Sequence, residues 1–269
     1  MQLFDLAHFG LLKVGGADAK KLLQGQLTCH LDELVPNESM PGAHCNPQGR
    51  ILSLFQLFEH HQDYFLFMPR EMVPHALAAL KKYAVFYKVI LTDASDEFTR
   101  LGYIPESPNE SFSHDAIAKI KIAKQPERYL ILMEKNSDDL QSIQSWKQLD
   151  IENGRAYIYP ETIGRFLPHE INLHLLNGIS LNKGCYTGQE IIARMHYLGK
   201  LKTHCYQATV YLNTPPMLGS DLLNESSNIA GTLVDFSYQS NQQYQLLFIS
   251  DEEKVKHSLF LNQSQITLK

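Results

Sequence analysis

Apolar and polar positions along the chain follow a strand–strand–helix rhythm that occurs twice in the first 150 residues. Apolar runs at Ile51–Phe58 and Tyr64–Met68 predict strands, and a helical pattern over Pro69–Tyr83 follows them. Between Phe98 and Leu149, strand-like runs again precede a helical pattern, which begins near Asn136 and carries Trp146. This repetition predicts two similar α+β units.

The first unit contains a predicted hairpin. Met40–Cys45 and Ile51–Phe58 are apolar runs separated by Asn46-Pro47-Gln48-Gly49, and proline with a nearby glycine is typical of a tight turn. Earlier in the chain, Phe9–Val14 is a strand candidate, and Asp18 is placed to cap a helix over Ala19–Gln24.

The pattern changes after residue 199. Only short apolar runs separated by turn residues remain, which predicts a small C-terminal β-barrel or sandwich; the runs are Leu201–Leu212, Leu218–Leu223, Ile229–Tyr238, Tyr244–Ser250 and Gln265–Leu268. Before them, residues 150–182 are rich in Pro, Gly, Asn and His and have weak periodicity. Long irregular connections of this kind often carry function.

Composition restricts the functional classes. The 269 residues carry a formal net charge of −5, so a strongly basic face for nucleic acid is not implied. No apolar run approaches the ~20 residues that span a bilayer, and Met1–His8 lacks a basic signal region. The four cysteines show no C-x-x-C spacing, so we predict a cytoplasmic protein without a disulfide framework or a bound metal. A metal site formed by distant cysteines stays open as an alternative.

Candidate chemistry is concentrated in residues 183–190. Thr187 followed by Glu190 has the spacing of a capping box, which predicts a helix that starts at Thr187 and ends at Gly199 in a left-handed conformation. Lys183 and Cys185 would then lie just before a helix N-terminus, where the positive end of the dipole and the lysine favour a thiolate. The alternative is a buried, inert Cys185 and a solvated Lys183.

The same segment carries a family resemblance. Its sequence, Lys183-Gly184-Cys185-Tyr186-Thr187-Gly188-Gln189-Glu190, resembles the signature of the YgfZ family of folate-binding proteins, which are relatives of the glycine-cleavage T-protein. Further similar blocks keep the family order over most of the first 200 residues; they are 16–18, 24–28, 43–45 with 49–50, 81–86, 151–154 and 166–173.

The resemblance implies an α+β fold in which ferredoxin-like domains and a C-terminal β-barrel form a ring, as in the T-protein. Residues 1–92 would form the N-terminal folate-binding domain, completed by 150–200, and residues 93–149 a second ferredoxin-like domain. Residues 150–200 would supply the irregular connection and the signature helix, and residues 201–269 the barrel.

The resemblance also implies a tetrahydrofolate site. Family tryptophans near the ligand match Trp146 and Phe9, the second of which keeps a stacking face but loses the indole N–H. Arg50, next to the hairpin turn, is a candidate for the glutamate tail of folate. The alternatives are that Trp146 is a core aromatic and that Arg50 is a solvated turn residue.

The function implied is that of a folate-binding accessory protein rather than a classical enzyme. It would act on iron–sulfur enzymes or their assembly proteins, and thereby in tRNA modification, without contacting tRNA or a membrane. Cys185 and Lys183 are the catalytic candidates. An aminomethyltransferase is the alternative, but Ser53 and Leu54 stand where the T-protein has an aspartate, and neither is a general base at neutral pH. A third possibility is an interaction module that has lost folate.

Overall fold

The computed structural model describes residues 2–107, 110, 112, 115–134, 140, 143–199 and 201–269. In chain order the strands are β1 (Gln2–Asp5), β2 (Phe9–Gly15), β3 (Met40–Cys45), β4 (Ile51–His60), β5 (Asp63–Pro69), β6 (Ile90–Asp93), β7 (Thr99–Ile104), β8 (Ala118–Lys124), β9 (Glu127–Met133), β10 (Thr203–Tyr211), β11 (Asp221–Asn224), β12 (Ile229–Tyr238), β13 (Gln243–Asp251), β14 (Leu259–Leu261), β15 (Ser264–Gln265) and β16 (Thr267–Leu268). The α-helices are α1 (Ala19–Gln26), α2 (Val73–Ala84), α3 (Ile143–Glu152) and α4 (Gln189–Leu198).

The first unit is an antiparallel sheet with the strand order β3-β4-β5-β2-β6, against which α1 and α2 pack. Its core is formed by inward-facing strand residues such as Leu12 and Leu66 and by helix residues such as Leu23 and Leu80. The predicted β3–β4 hairpin is confirmed. Gly49 takes a φ of +73° in its turn, a conformation that glycine adopts without steric penalty.

The second unit has the strand order β1-β7-β9-β8 and is covered by α3. Strand β1 was not predicted from the sequence; it pairs with β7, which lies about 100 residues further along the chain. The helix packs closely on the sheet because Gly102 has no side chain; a Cβ there would lie 2.5 Å from the Trp146 ring. By its strand pairing, the beginning of the chain therefore belongs to the second sheet.

The third unit is a sheet of seven strands in the order β15-β14-β11-β12-β13-β10-β16. Its two outer strands, β15 and β16, are separated in the chain only by Ile266, so the sheet curls into a nearly closed barrel. Helix α3 contacts both its own sheet and strands β12 and β13 of the barrel. The predicted fold class, α+β units with a C-terminal β-barrel, is confirmed, whereas strand β14 was missed.

One predicted helix start needs correction, and another lies outside the described residues. The helix predicted from Pro69 begins at Val73, after a 3-10 turn over Arg70–Met72, and Pro74 occupies its first turn, where a missing N–H is tolerated. The predicted helix start at Asn136–Asp138 lies outside the described residues. Within those residues, no helix has the length and apolarity needed to cross a membrane.

Candidate functional site

The 183–190 signature segment is fastened to the first unit by Lys183. This side chain is buried, and its Nζ donates hydrogen bonds of 2.8 Å and 2.7 Å to the carbonyl oxygens of Leu27 and Cys29. The ammonium also lies 5.1 Å from the centre of the Tyr186 ring. Burial lowers the pKa of Lys183 from 10.5 to about 8.

The start of helix α4 differs from the predicted capping box. The helix begins at Gln189, and the N-cap is Gly188, which has a φ of +85° and no side chain to cap with. The Thr187 hydroxyl instead donates to Oε1 of Gln26 at 3.0 Å, and Oε1 of Gln189 accepts from the backbone N–H of Tyr186 at 3.3 Å. The Thr187–Glu190 capping box is therefore wrong, because the threonine hydroxyl binds a partner from a distant part of the chain.

The C-terminal end of the same helix also departs from the prediction. Gly199 has an extended conformation (φ −80°, ψ 126°) rather than a left-handed one. Its N–H still donates to the carbonyl of Met195, so the last turn closes without a left-handed residue.

Gly188 fits the signature segment against the β3–β4 hairpin. A Cβ on this glycine would lie 2.7 Å from the carbonyl oxygen of Asn46 and 3.1 Å from the Cα of Gly49. On the other side, Gly49 lies against Ile191, where an added Cβ would be 3.1 Å away. Glycine is required on both surfaces because the two backbones approach so closely.

Blocks that are far apart in the sequence meet beneath this segment. The Thr28 hydroxyl donates to the carbonyl of Gly178 at 2.6 Å and accepts from the backbone N–H of Ala43 at 2.9 Å. The Thr28 carbonyl accepts from Ser180, and the Gly25 carbonyl accepts from the N–H of Thr187. Residues 25–28, 43–49 and 178–191 thus form one hydrogen-bonded arrangement.

Cys185 is exposed, in contrast to the other three cysteines. Burial raises the pKa of the Cys29 and Cys205 thiols to about 12 and that of Cys45 further still. The Lys183 ammonium is bound to carbonyl oxygens on the buried side of the segment. Its charge acts on the Cys29 thiol, where it opposes the rise in pKa that burial causes. The expected placement of Lys183 as a charge beside Cys185 therefore needs correction, since the lysine anchors the segment.

Arg50 is half-exposed and is held by residues 165–170. Its Nη1 donates to the carbonyl of Arg165 at 2.9 Å and lies 3.4 Å from a carboxylate oxygen of Glu170. A second oxygen of Glu170 accepts from the hydroxyl of Thr203 at 3.0 Å. Arg50 thus connects the β3–β4 hairpin to the irregular connection, and through Glu170 to the first strand of the barrel.

A cleft of about 660 Å³ opens at the junction of the units. Its apolar lining comes from Phe9, Pro69, Pro74, Ile143 and Tyr159, and its polar lining includes Arg70, Glu71, Asp93, Gln144 and Lys147. The cleft combines the end of β5, the start of α2, β6 and one face of α3. None of the residues 183–190 or Arg50 is among the described residues that line it.

The two predicted aromatic residues meet in one core cluster, but only one of them lines the cleft. Phe9 stacks on Phe67 with ring centroids 4.7 Å apart and contacts Tyr157, so it forms part of the floor of the cleft. Trp146 is 0% exposed and lies under the Arg128 guanidinium, 4.8 Å from it. It therefore offers no surface to a ligand, in agreement with the core-aromatic alternative.

Helix α3 nevertheless forms a wall of the cleft through Lys147. The Lys147 Nζ lies 2.7 Å from a carboxylate oxygen of Asp235 in the barrel, and Asp235 is completely buried. Burial raises the pKa of Asp235, and the Lys147 charge opposes this shift. The pair joins α3 to β12 at the edge of the cleft, with a cation that is 16% exposed.

Sequence reasoning missed the charged residues of this cleft. Arg70, Glu71, Asp93 and Lys147 come from three separate elements, and no local spacing pattern relates them. One of them, Lys147, could have been suspected from the sequence, because it follows the predicted folate residue Trp146 directly. Adjacent residues of a helix face different sides, so Lys147 reaches the cleft while Trp146 is buried. Within the described ranges, no group of three or more His, Cys, Asp or Glu side chains is arranged to hold a metal ion.

Comparison with known proteins identifies the family. The tRNA-modifying protein YgfZ of Photorhabdus laumondii subsp. laumondii is 30% identical over 289 residues, covering 97% of this chain and 87% of that protein. The corresponding protein of Pectobacterium carotovorum subsp. carotovorum is 33% identical, covering 89% of this chain and 80% of its own length. The chain belongs to the YgfZ family. The membership inferred from the Lys183–Glu190 signature is thereby confirmed.

The fold of this YgfZ-family chain also matches a solved structure. The glycine cleavage system aminomethyltransferase T of Bartonella henselae superposes with a TM-score of 0.72, covering 99% of this chain and 84% of that one, at 13% sequence identity. This likeness establishes a T-protein-like fold. No protein-family model matches the chain.

Proposed function

We propose that this YgfZ-family chain binds a reduced folate, tetrahydrofolate or a derivative, in the cleft between Phe9 and α3. We propose further that it acts as an accessory protein in the assembly or repair of iron–sulfur enzymes, and thereby in tRNA modification. The observation that carries the folate proposal is that Phe9 and helix α3 both line this cleft, whereas the Trp146 ring itself is fully buried and does not line it. Phe9 lines its floor, and the helix that carries Trp146 forms its wall.

The apolar part of the cleft suits a pterin ring. Its volume of about 660 Å³ lies within the range of small-molecule sites, about 300–1,000 Å³. Phe9, Tyr159 and the two prolines provide an apolar surface at its base and sides. Because Phe9 is buried among Phe67 and Tyr157, the floor is rigid before any ligand enters.

The charged part of the cleft suits the polar ends of the ligand. A pterin presents neighbouring N–H donors on one edge, which a carboxylate accepts, and Glu71 and Asp93 are exposed carboxylates in the lining. The glutamate tail is anionic and matches the cations Arg70 and Lys147. In this proposal these two residues, rather than Arg50, meet the tail.

The folate proposal is tested by calorimetric titration of tetrahydrofolate under anaerobic conditions. We expect saturable binding by the wild type and roughly tenfold to hundredfold weaker binding by Arg70→Gln and Glu71→Gln, since each loses a charged hydrogen-bonding group. Both side chains are exposed, so neither substitution disturbs the core. Lys256→Gln, an exposed lysine of the barrel, is the matched control. The absence of saturable heat, or equal affinities in all four proteins, would remove this proposal.

The accessory role rests on Cys185. Thiolates are the protein ligands that iron–sulfur clusters prefer, and Cys185 is the exposed cysteine on a segment that Lys183 and Gly188 hold rigidly. In cells that lack the endogenous protein, we expect Cys185→Ser to lower the activity of iron–sulfur enzymes that methylthiolate tRNA. Cys205→Ser, at a partly buried position, is the control. Full restoration of methylthiolated tRNA by the Cys185→Ser chain would contradict the role.

Aminomethyltransferase activity is the second candidate function, because the chain has a T-protein-like fold. The position of the expected carboxylate weakens it. Ser53 is completely buried in β4 opposite His44 of β3, and the Ser53 hydroxyl and both His44 nitrogens lack hydrogen-bond partners among the described residues. Burial lowers the pKa of His44 to about 4, so this pair is neutral and holds no carboxylate.

A further inference from the structure

An exposed apolar surface follows helix α2. It contains three large apolar side chains within six residues of the chain: Val85, Phe86 and Ile90, which are 73%, 82% and 71% exposed. Ile90 begins β6, which lies at the outer edge of the first sheet and, in the described part of the chain, pairs with β2 alone. Exposed clusters of large apolar side chains on an otherwise polar surface mark sites of interaction.

Lysines surround these apolar residues. Lys81, Lys82 and Lys88 are exposed on the same stretch, and Lys21 of α1 joins them through its contact with the Tyr87 ring, 5.8 Å away. None of these four lysines forms an ion pair with an acidic residue in the described part of the chain. We call this set of apolar and basic residues the 81–90 surface. Its unpaired positive charge contrasts with the net charge of −5 of the whole chain.

The charges restrict what binds there. A second copy of this chain, related by a twofold axis, would place lysines against lysines, and such like-charge contacts are unfavourable. A nucleic acid would use flat aromatic rings for stacking, but two of the three exposed apolar side chains of this surface, Val85 and Ile90, are aliphatic. An apolar centre within a charged rim is the ordinary anatomy of a protein–protein interface.

We propose that the 81–90 surface docks a different protein whose contact face has an apolar centre and an acidic rim. This inference depends on the exposure and charge of residues 81–90 and is independent of folate binding. It adds a partner site on the edge of the first unit, at the end of α2 and the start of β6, whereas the cleft is lined by the opposite ends of these elements, at Pro74 and Asp93, and by α3.

The test is site-specific photo-crosslinking in living cells with the full chain. A benzoylphenylalanine residue is placed at Phe86 and, as a control, at Met217, which is 72% exposed but lies in the barrel unit. We expect light-dependent adducts at position 86 with a protein of low isoelectric point. In a Lys81→Glu, Lys82→Glu background the adduct yield should fall roughly tenfold or more, because like charges then oppose docking.

Three outcomes would overturn the proposal: equal adduct formation at positions 86 and 217, adducts at 86 with RNA or with a second copy of the chain, or yields that do not respond to charge reversal. Thermal unfolding of the charge-reversed chain, with a midpoint equal to that of the wild type, ensures that a lost adduct reports docking and not unfolding. Tetrahydrofolate affinity should be unchanged in the same variant, which separates this surface from the cleft.

Discussion

Replacing Lys183 by methionine tests whether this lysine is a buried anchor. The wild-type ammonium makes two hydrogen bonds to buried carbonyls, at 2.8 Å and 2.7 Å, and each charged hydrogen bond is worth about 1.5–3 kcal/mol. Against this, holding the charge in a buried position that lowers the pKa from 10.5 to about 8 costs about 3 kcal/mol. We therefore expect Lys183→Met to lower the free energy of unfolding by up to about 3 kcal/mol at neutral pH.

The shifted pKa of Lys183 also predicts how the stability difference between the two proteins changes with pH. The pKa of Lys183 is lower in the folded state than in the unfolded state, so the penalty is complete below about pH 8 and disappears as the pH rises towards 10.5. Above pH 8 the wild type loses the penalty while its neutral amine still donates hydrogen bonds, and the methionine variant has no such gain. The stability difference should therefore widen by about 2 kcal/mol between about pH 7 and about pH 9.5.

Urea denaturation of both proteins at the two pH values measures this difference. Lys81→Met, which replaces an exposed lysine, is the control and should show only a small stability difference at both pH values. The Cys29 thiol beside Lys183 does not complicate the comparison, because burial raises its pKa to about 12. A stability difference that stays constant or narrows as the pH rises would refute the buried-anchor interpretation.

Three further predictions concern the signature segment and the alternative activity. Cys185 should be alkylated first among the four cysteines at neutral pH, and Lys183→Met should leave its rate unchanged; mass spectrometry of partly alkylated protein measures both, and a slow Cys185 would contradict the exposed placement. Gly188→Ala should destabilise the chain by more than about 2 kcal/mol, because residue 188 has a positive φ and an added Cβ would meet the Asn46 carbonyl. Thr187→Ala should cost about 1 kcal/mol, the value of one hydrogen bond. Equal urea midpoints for the two variants would contradict this difference. No tetrahydrofolate-dependent release of ammonia from an aminomethylated carrier protein is expected, because the resemblance to the T-protein places the buried Ser53 where an aspartate is expected; measurable release would restore the aminomethyltransferase hypothesis.

Patterns with a local cause were predictable from the sequence. The β3–β4 hairpin follows from two apolar runs and a Pro–Gly turn, and strand β12 was predicted with its observed bounds, Ile229–Tyr238. Strand β1 was missed because it has four residues and owes its existence to pairing with β7, far along the chain. Pairing between distant segments overrides local propensity in such short strands.

The chemistry of the signature segment was predicted only in part. The sequence indicated that residues 183–190 lead into a helix with a cysteine ahead of it, but neither that this cysteine is exposed nor that Lys183 and Thr187 bind groups at residues 26–29. A capping box is a local pattern, and here the Gln26 side chain competes for the threonine hydroxyl. The cleft was not predictable either, since its polar residues are brought together only when α3 packs between two sheets.

The pairing of β1 has a consequence for synthesis on the ribosome. All five strands of the first sheet lie between Phe9 and Asp93, so the whole sheet has been synthesised before β7 appears. Strand β1 is synthesised before the first sheet yet has no partner until Thr99–Ile104 follows, which leaves Leu3 and Phe4 exposed to solvent or to chaperones in the interval. A short link, residues 6–8, keeps β1 beside the first sheet until β7 is available. The second sheet is therefore completed by a strand that was synthesised before the whole of the first sheet.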